Sequence, residues 1–196
     1  MNPILLSISY FVDQFYRYPF NQELAFKTLR DSLSTGQMKS KAVIIEICKA
    51  ENIKSESAVF IGHWQSLLAL MMKNENRLKK AIGVEKSDLW SDFSNYLNRD
   101  WNWKSHNIAI ENFDIPLETD LVINTSCEHM SDDWFKKIPT GCRVLIQSTD
   151  FDHLEHINKK DSLQDFEKSL VDIQIISRNE TNCDIYRRFT VYGIKK

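Results

Sequence analysis

Side chains able to contact a ligand follow three short apolar segments of the sequence. The segments are residues 57–62, 81–84 and 120–124, and the residues at or just after their ends are Gly62, His63, Trp64, Glu85, Asn124, Ser126, Glu128 and His129. Apolar segments of this length that alternate with helical patterns predict the strands of a parallel sheet. Ligands bind beyond the carboxyl ends of such strands. The sequence therefore predicts one crevice that holds a nucleotide-like ligand.

Two adjacent residues after the third segment, Glu128 and His129, offer acid–base chemistry. The ordinary pKa of histidine suits a general base near neutral pH, and a carboxylate can orient an amine or accept its proton. Both residues can equally cap a helix that starts near Asp132. Cys127 lies two positions before His129, but no Cys–His protease signature surrounds it, which favours a small semi-buried residue over a nucleophile.

Metal binding is an alternative for the segment after the fifth predicted strand. Asp150, His153 and His156 are residue types that bind divalent cations, and their spacing can place them on one helical face. A loop that makes polar contacts with the substrate is the preferred interpretation. The sequence therefore predicts no bound metal.

Helical periodicity dominates residues 1–54, where apolar positions recur every three or four residues. The predicted helices cover residues 4–15, 22–33 and 38–50, with Asn21 as the cap of the second helix and Gly36 as its end. These helices form a cap on the sheet. The cap either only packs there, covers the substrate as a lid, or supplies the surface of a homodimer.

From residue 57 onward the pattern alternates between strands and helices. Strands are predicted at residues 59–61, 81–84, 107–110, 121–123, 142–146, 172–177 and 186–193, and helices at 64–73, 88–97 and 161–170. No helix separates the last two strands, and the turn-like residues 178–182 between them predict an antiparallel hairpin. Arg187 and Arg188 point to opposite faces of the last strand, so at most one of them faces the crevice.

The predicted fold is α/β, a Rossmann-like doubly wound sheet with a C-terminal antiparallel hairpin and an N-terminal helical cap. Residues 1–54 are the cap and residues 55–196 the Rossmann-like domain, and the two form one compact unit. Residues 120–130 are Asp-Leu-Val-Ile-Asn-Thr-Ser-Cys-Glu-His-Met, and residues 144–148 are Val-Leu-Ile-Gln-Ser. With this order of elements, residues 55–196 resemble a small divergent branch of the class I S-adenosylmethionine-dependent methyltransferases. The resemblance implies that S-adenosylmethionine is the cofactor.

The resemblance also implies roles for the strand ends. The family's first loop is rich in glycine because its backbone approaches the methionine part of the cofactor, whereas here His63 and Trp64 follow the single Gly62. Amides after Gly62 can bind the cofactor carboxylate, and the Trp64 indole either lies against the sulfonium or adenosine or belongs to the core. The remaining implied contacts are Glu85 with the ribose hydroxyls, Glu111 or Asn112 with adenine beside Phe113, and Asn124 and Ser126 with substrate or cofactor.

The implied activity is methyl transfer to a small-molecule acceptor, with Glu128 and His129 at the reacting end. DNA adenine is disfavoured because residues 124–130 lack an Asn/Asp-Pro-Pro-aromatic signature. The altered Gly62 loop leaves two alternatives open. One is another reaction in the same pocket, such as cleavage of the cofactor, and the other is a non-catalytic nucleotide-binding regulatory protein. An NAD-dependent reductase is disfavoured because no G-x-G-x-x-G follows the first strand.

Composition agrees with an ordinary globular chain of 196 residues, with 42% hydrophobic and 27% charged residues. The net charge of −2 provides no broad electrostatic footprint for nucleic acid or for an anionic membrane. The four cysteines form no CxxC pair, which predicts reduced thiols in a cytoplasmic protein. The apolar N-terminus has no basic leader and Asp13 interrupts it, so neither a signal peptide nor a membrane span is predicted.

Overall fold

Within residues 2–196, the part of the chain that the computed structural model describes, the strands form one seven-stranded sheet. The strands are β1 (Ser55–Ile61), β2 (Leu78–Glu85), β3 (Trp103–Asn107), β4 (Leu121–Asn124), β5 (Arg143–Thr149), β6 (Ile173–Asn182) and β7 (Arg187–Lys195). They lie side by side in the order β3-β2-β1-β4-β5-β7-β6. The first five strands are parallel, and β7 is antiparallel to β5 and β6. The predicted Rossmann-like sheet with a closing antiparallel hairpin is confirmed.

Three helices precede the first strand and form the predicted helical cap. They are α1 (Pro3–Arg17), α2 (Gln22–Ser32) and α3 (Thr35–Ala50), and the later helices are α4 (Leu67–Asn74), α5 (Asp88–Leu97) and α6 (Leu163–Ser169). The side chains of Asn2, Asn21 and Ser34 accept hydrogen bonds from backbone N–H groups in the first turns of α1, α2 and α3. None of the described helices within residues 2–196 combines the length and apolar character needed to cross a bilayer.

Alternation along the central strands builds a hydrophobic core on each face of the sheet. In β1, Phe60 packs with the α1–α5 side of the molecule, whereas Val59 and Ile61 pack with the opposite side. Leu145 and Val144 divide in the same way in β5. This follows from the strand period of two, which sends successive side chains to opposite faces. The near-continuous apolar segments recognised in the sequence are thus strands buried on both faces.

The strand order reverses between β1 and β4, which lie next to each other. Their last residues, Ile61 and Asn124, are register partners, so the loops after these two strands start side by side. The chain leaves β1 toward β2 and β3 on one side and continues from β4 toward β5 on the other. Such a switch point leaves a crevice at the carboxyl edge of the sheet.

Several boundaries differ from the sequence prediction. The third strand is Trp103–Asn107 rather than residues 107–110, because Ile110 leaves the sheet in a 3-10 turn and packs in the core beneath it. The predicted connection 178–182 belongs to β6, whose polar side chains are tolerated at a sheet edge because backbone hydrogen bonds pair them with β7. Gly36 does not end α2 but lies in the first turn of α3, where the Tyr186 ring packs against it.

Candidate active site

A cavity of about 1020 Å³ lies at the switch point, beyond the carboxyl ends of β1, β2 and β4. Residues of α2 and α3, among them Asp31 and Lys41, also line the cavity. Eight of the residues predicted for the site line it, namely Gly62, His63, Trp64, Glu85, Glu111, Ser126, Glu128 and His129. The sequence prediction thus converges on one place in the fold.

The loop after β1, residues 62–66, has an irregular backbone where a helix was predicted to begin. Gly62, Trp64 and Ser66 have φ values of 57°, 50° and 56°, so α4 starts only at Leu67. At Gly62 a Cβ atom would lie 3.1 Å from the Ser126 Cβ, and the Ser126 hydroxyl donates a hydrogen bond of 3.1 Å to the Gly62 carbonyl. Glycine is therefore required both for its conformation and for close contact with the β4 loop.

The His63 side chain supports the loop from below. Its Nδ1 lies 2.9 Å from the Trp64 carbonyl and its Nε2 lies 2.8 Å from the Ser105 hydroxyl. Because a carbonyl only accepts, Nδ1 carries the proton and Nε2 accepts from Ser105. Burial lowers the pKa of His63 to about 4, so the ring is neutral at physiological pH. Because both ring nitrogens already have hydrogen-bond partners, only the backbone of His63 is available to contact a cofactor.

Trp64 is half-buried at the wall of the cavity, where its ring makes an edge contact with Trp90 at a centroid distance of 6.1 Å. Its positive φ is rare for a bulky residue. The neighbouring Ser66 hydroxyl accepts hydrogen bonds from Ser94 and Asn98 of the α5 segment, which fixes the end of the loop. The indole is thus held at the cavity wall by a backbone that its neighbours anchor.

Glu85 ends β2 and lines the cavity, with a relative exposure of only 9%. Its Oε2 accepts a hydrogen bond of 3.0 Å from the Trp64 N–H, and its Oε1 accepts one of 3.0 Å from the Ser87 N–H. The carboxylate therefore ties the β1 loop to the β2 loop. Each oxygen retains a second lone pair, so the group can still accept hydrogen bonds from a ligand in the cavity.

The segment after β3 contributes apolar residues to the cavity wall that the sequence did not predict. Glu111 lines the cavity, whereas Asn112 is exposed and outside the cavity lining. Phe113 packs against the core and against His106, at a centroid distance of 5.7 Å. The lining residues that the prediction missed here are Ile108, Ala109 and Ile110. They form an apolar wall beside Glu111. Three consecutive apolar residues directly before Glu111 were the sequence signal for this wall.

Asn124 shapes the site without lining the cavity. Its side chain is fully buried, its Oδ1 accepts a hydrogen bond of 2.8 Å from the Ser126 N–H, and its Nδ2 lies 3.2 Å from the Met130 sulfur. Asn124 therefore bends the β4 loop back on itself. Ser126 is the residue of this pair that faces the cavity.

Glu128 forms a buried ion pair with Arg188 of β7. Arg188 Nη1 donates to Glu128 Oε1 at 2.7 Å, and the two side chains are 7% and 3% exposed. Arg188 also donates a bond of 3.3 Å to the Thr125 carbonyl. The alternative role of Glu128 as a helix cap is not observed. Arg188 is the arginine of the last strand that faces the crevice, in agreement with the sequence prediction that at most one of Arg187 and Arg188 does so.

His129 lies beside His156, with ring centroids 4.7 Å apart and planes at 88°. Burial is the main cause that lowers the pKa of His129 from its ordinary value. Asp150, His153 and His156 were considered together as a metal set, but the Asp150 carboxylate bonds to Arg187 at 2.7 Å. The structure instead brings His156 to Glu128 and His129, and ligand atoms of these three residues lie within 4.8 Å of one another.

Lys41 and Gln65 are among the polar residues of the cavity that the sequence prediction missed. Lys41 of α3 donates a hydrogen bond of 2.8 Å to Gln37, and burial lowers the pKa of its amine to about 7. Arg188 lowers this pKa further and Asp31 raises it. Gln65 of the β1 loop is bonded to Ser32 of α2. The signal for Lys41 was its position on the buried stripe of α3, four residues before Ile45.

Comparison with known proteins places the architecture among solved enzymes. No protein-family model matches the sequence, and no curated protein matches it significantly. The N-methyltransferase NodS from Bradyrhizobium japonicum WM9, in complex with S-adenosyl-L-homocysteine, is similar at a TM-score of 0.68 and 11% identity, over 94% of this chain and 98% of that chain. A methyltransferase from Clostridium acetobutylicum is similar at a TM-score of 0.66 and 14% identity, over 89% and 99%. The [4+2]-cyclase SpnF is similar at a TM-score of 0.65 and 8% identity, over 81% and 82%.

These similarities extend over most of each chain. At such low identity they establish architecture rather than activity. The chain has the fold of the class I S-adenosylmethionine-dependent methyltransferases.

Proposed function

We propose that this protein binds S-adenosylmethionine and transfers its methyl group to a small-molecule acceptor. The observation that carries the proposal is Glu85, a buried carboxylate at the end of β2 that lines the cavity and keeps free lone pairs. An acid at this point of a nucleotide-binding sheet accepts hydrogen bonds from ribose hydroxyls. The solved neighbour NodS, which shares the fold, is described with S-adenosyl-L-homocysteine bound.

The cofactor would lie across the switch point, along the ends of β1, β2 and β4. The backbone from Gly62 to Trp64 would meet its methionine part, with the Trp64 indole as an aromatic wall, and Ser126 would contact it from the β4 loop. Adenine would rest on the apolar segment 108–110, next to Glu111. Phe113 packs against the core from outside the cavity lining, and Asn124 holds the β4 loop in shape.

The acceptor would occupy the part of the cavity between the β4 loop and the helical cap. Glu128, His129, Tyr186 and Arg188 line that part, and Lys41 faces it from α3. Bound S-adenosylmethionine supplies an electrophilic methyl group, which an acceptor lone pair takes as the carbon–sulfur bond breaks and the acceptor proton is released. The residues of the chain align the acceptor for this in-line displacement and exclude water. The cap segment 31–41 along the cavity favours a small molecule over a polymer.

Titration calorimetry with S-adenosylmethionine and S-adenosyl-L-homocysteine tests the cofactor site. We expect one equivalent of each to bind with micromolar-range affinity. The substitution Glu85→Gln should weaken binding by about 5- to 150-fold, equivalent to about 1–3 kcal/mol for a buried polar partner. Glu56→Gln is the matched control, because Glu56 is exposed on β1 and lies at the other end of the sheet. No binding of either compound to the unaltered protein would refute the proposal.

A second candidate is another use of the same pocket, either cleavage of the cofactor or a regulatory role without catalysis. It is favoured by the β1 loop, where His63 and Trp64 replace glycines, and by the likeness to SpnF, which is described as a cyclase. Mass spectrometry of S-adenosylmethionine incubated with the protein separates the candidates. Acceptor-dependent formation of the demethylated product supports methyl transfer. Cofactor lost without any acceptor indicates cleavage, and tight binding with no turnover of any acceptor indicates regulation.

A further inference from the structure

Glu128, His129 and His156 form a compact histidine–carboxylate cluster at the acceptor end of the cavity. Each residue offers one ligand atom, and these atoms lie within 4.8 Å of one another. Glu128 and His129 come from a 3-10 turn after β4, and His156 comes from the loop after β5. All three residues line the cavity. The cluster thus joins two loops that are far apart in the sequence.

The Glu128 carboxylate is only half satisfied. Its Oε1 accepts the 2.7 Å bond from Arg188, but its buried Oε2 has no hydrogen-bond partner among residues 2–196. A buried carboxylate oxygen that has lost its water and gained no partner is costly, and native structures rarely leave one unpaired. Arg188 fixes the orientation of the carboxylate and leaves Oε2 for a ligand. A cation in the cavity would complete its contacts.

His156 has the tautomer of a metal ligand. Its Nδ1 lies 2.8 Å from the Phe151 carbonyl, which can only accept, so Nδ1 carries the proton. The other nitrogen, Nε2, is then an unprotonated donor of a lone pair. A hydrogen bond from one ring nitrogen to a backbone carbonyl is the usual support of a ligating histidine, because it fixes the ring and raises its basicity.

We propose that Glu128, His129 and His156 bind one divalent transition-metal cation at the acceptor end of the cavity. Two imidazoles and one carboxylate suit Zn²⁺, Co²⁺ or a similar first-row cation, whereas Mg²⁺ and Ca²⁺ prefer oxygen ligands. Three protein ligands leave at least one coordination position open to the cavity. That position would hold an oxygen atom of the acceptor, a role that rests on the proposed function. This set replaces the one considered from sequence, which combined Asp150 and His153 with His156.

Metal binding by the full chain tests the proposal without any cofactor. After dialysis against a chelator and then against buffer, the protein is titrated with Zn²⁺ by calorimetry and with Co²⁺ by visible absorption. We expect one equivalent of either cation, with Co²⁺ bands typical of nitrogen ligation. His156→Ala should weaken binding by about tenfold or more. His153→Ala is the matched control, since His153 is an exposed histidine three residues away and outside the cluster.

Circular dichroism and thermal unfolding establish that each variant is folded, and His129→Gln provides a second test of the cluster should His156→Ala unfold. Equal affinities of the two histidine-to-alanine variants would place the cation elsewhere and overturn the proposal, as would no binding at all. Loss of binding in His153→Ala would restore the set considered from sequence and also overturn it. One bound Co²⁺ in a protein that binds neither S-adenosylmethionine nor S-adenosyl-L-homocysteine would sustain the metal site while refuting the proposed function.

Discussion

His63 explains at the scale of one residue why the β1 loop lacks its expected glycines. Its ring occupies the space above Gly83 and makes an edge contact with Trp103 at a centroid distance of 5.3 Å. Ser91 lies 2.9 Å from Ser105, which in turn donates to His63, so a chain of hydrogen bonds runs from α5 to the loop. The loop is supported from below by a side chain rather than by close backbone packing. The packing of the His63 side chain under the loop therefore explains why histidine stands where the family has glycine.

This role gives the stability of the protein an acid sensitivity that can be measured. The pKa of His63 is about 4 in the folded state, below its ordinary value of 6.5, so the unfolded state binds the proton more readily. Stability should be unaffected above pH 6.5 and should fall as the pH decreases toward 4. At pH 5 the loss is at most about 2 kcal/mol.

Urea unfolding at pH 7.5 and pH 5 compares the unaltered protein with His63→Gln. The glutamine does not titrate, so the difference in unfolding free energy between the two proteins should shrink by about 2 kcal/mol at the lower pH. His153→Gln is the control, because His153 is an exposed histidine outside the sheet. A pH-independent difference for His63→Gln would show that folding does not lower the pKa of the ring.

At the scale of elements, the sequence predicted the strands buried on both faces and missed what depends on a single backbone conformation. The apolar segments of β1, β4 and β5 were recognised because short apolar segments bounded by turn residues are typical of strands buried between two cores. Residues 64–66 looked helical, yet the positive φ of Trp64 and Ser66 delays α4 to Leu67. Helix propensity does not predict such a conformation. Hydrogen bonds of Trp64 with the Glu85 carboxylate and of Ser66 with α5 stabilise it, and both partners are distant in the sequence.

The strained loop predicts different stabilities for two small substitutions at Trp64. Left-handed backbone costs a residue with a Cβ about 1–2 kcal/mol, and glycine is free of this cost. Trp64→Gly should therefore be more stable than Trp64→Ala by about 1 kcal/mol in urea unfolding. Both variants should weaken binding of S-adenosyl-L-homocysteine to a similar extent, because both remove the indole wall. Equal stability of the two variants would contradict strain, and unchanged binding would assign Trp64 to the core alone.

At the scale of the whole molecule, the site is assembled from residues between Asp31 and Arg188, which is why sequence patterns found only part of it. Residues that follow a strand within a few positions, such as Glu85 and Ser126, were predictable because the parallel sheet aligns all strand ends at one edge. Lys41 and Arg188 reach the cavity through the packing of the cap and of the antiparallel hairpin, whereas Gln65 lies in the β1 loop. Ser32 and Glu128, the partners of Gln65 and Arg188, come from distant parts of the sequence, so spacing along the chain does not reveal these contacts.

The cap is continuous with the core, so we predict that it unfolds together with the sheet. Phe15 of α1 is 1% exposed and packs on Phe93 of α5 at a centroid distance of 5.1 Å, whereas its neighbour Tyr16 is 75% exposed. Phe15→Ala should lower the unfolding free energy by about 3–5 kcal/mol, and Tyr16→Ala, the matched control, by less than about 0.5 kcal/mol. Tryptophan fluorescence and circular dichroism should report one coincident transition. A separate early transition, enlarged by Phe15→Ala, would instead make residues 1–54 an independent lid.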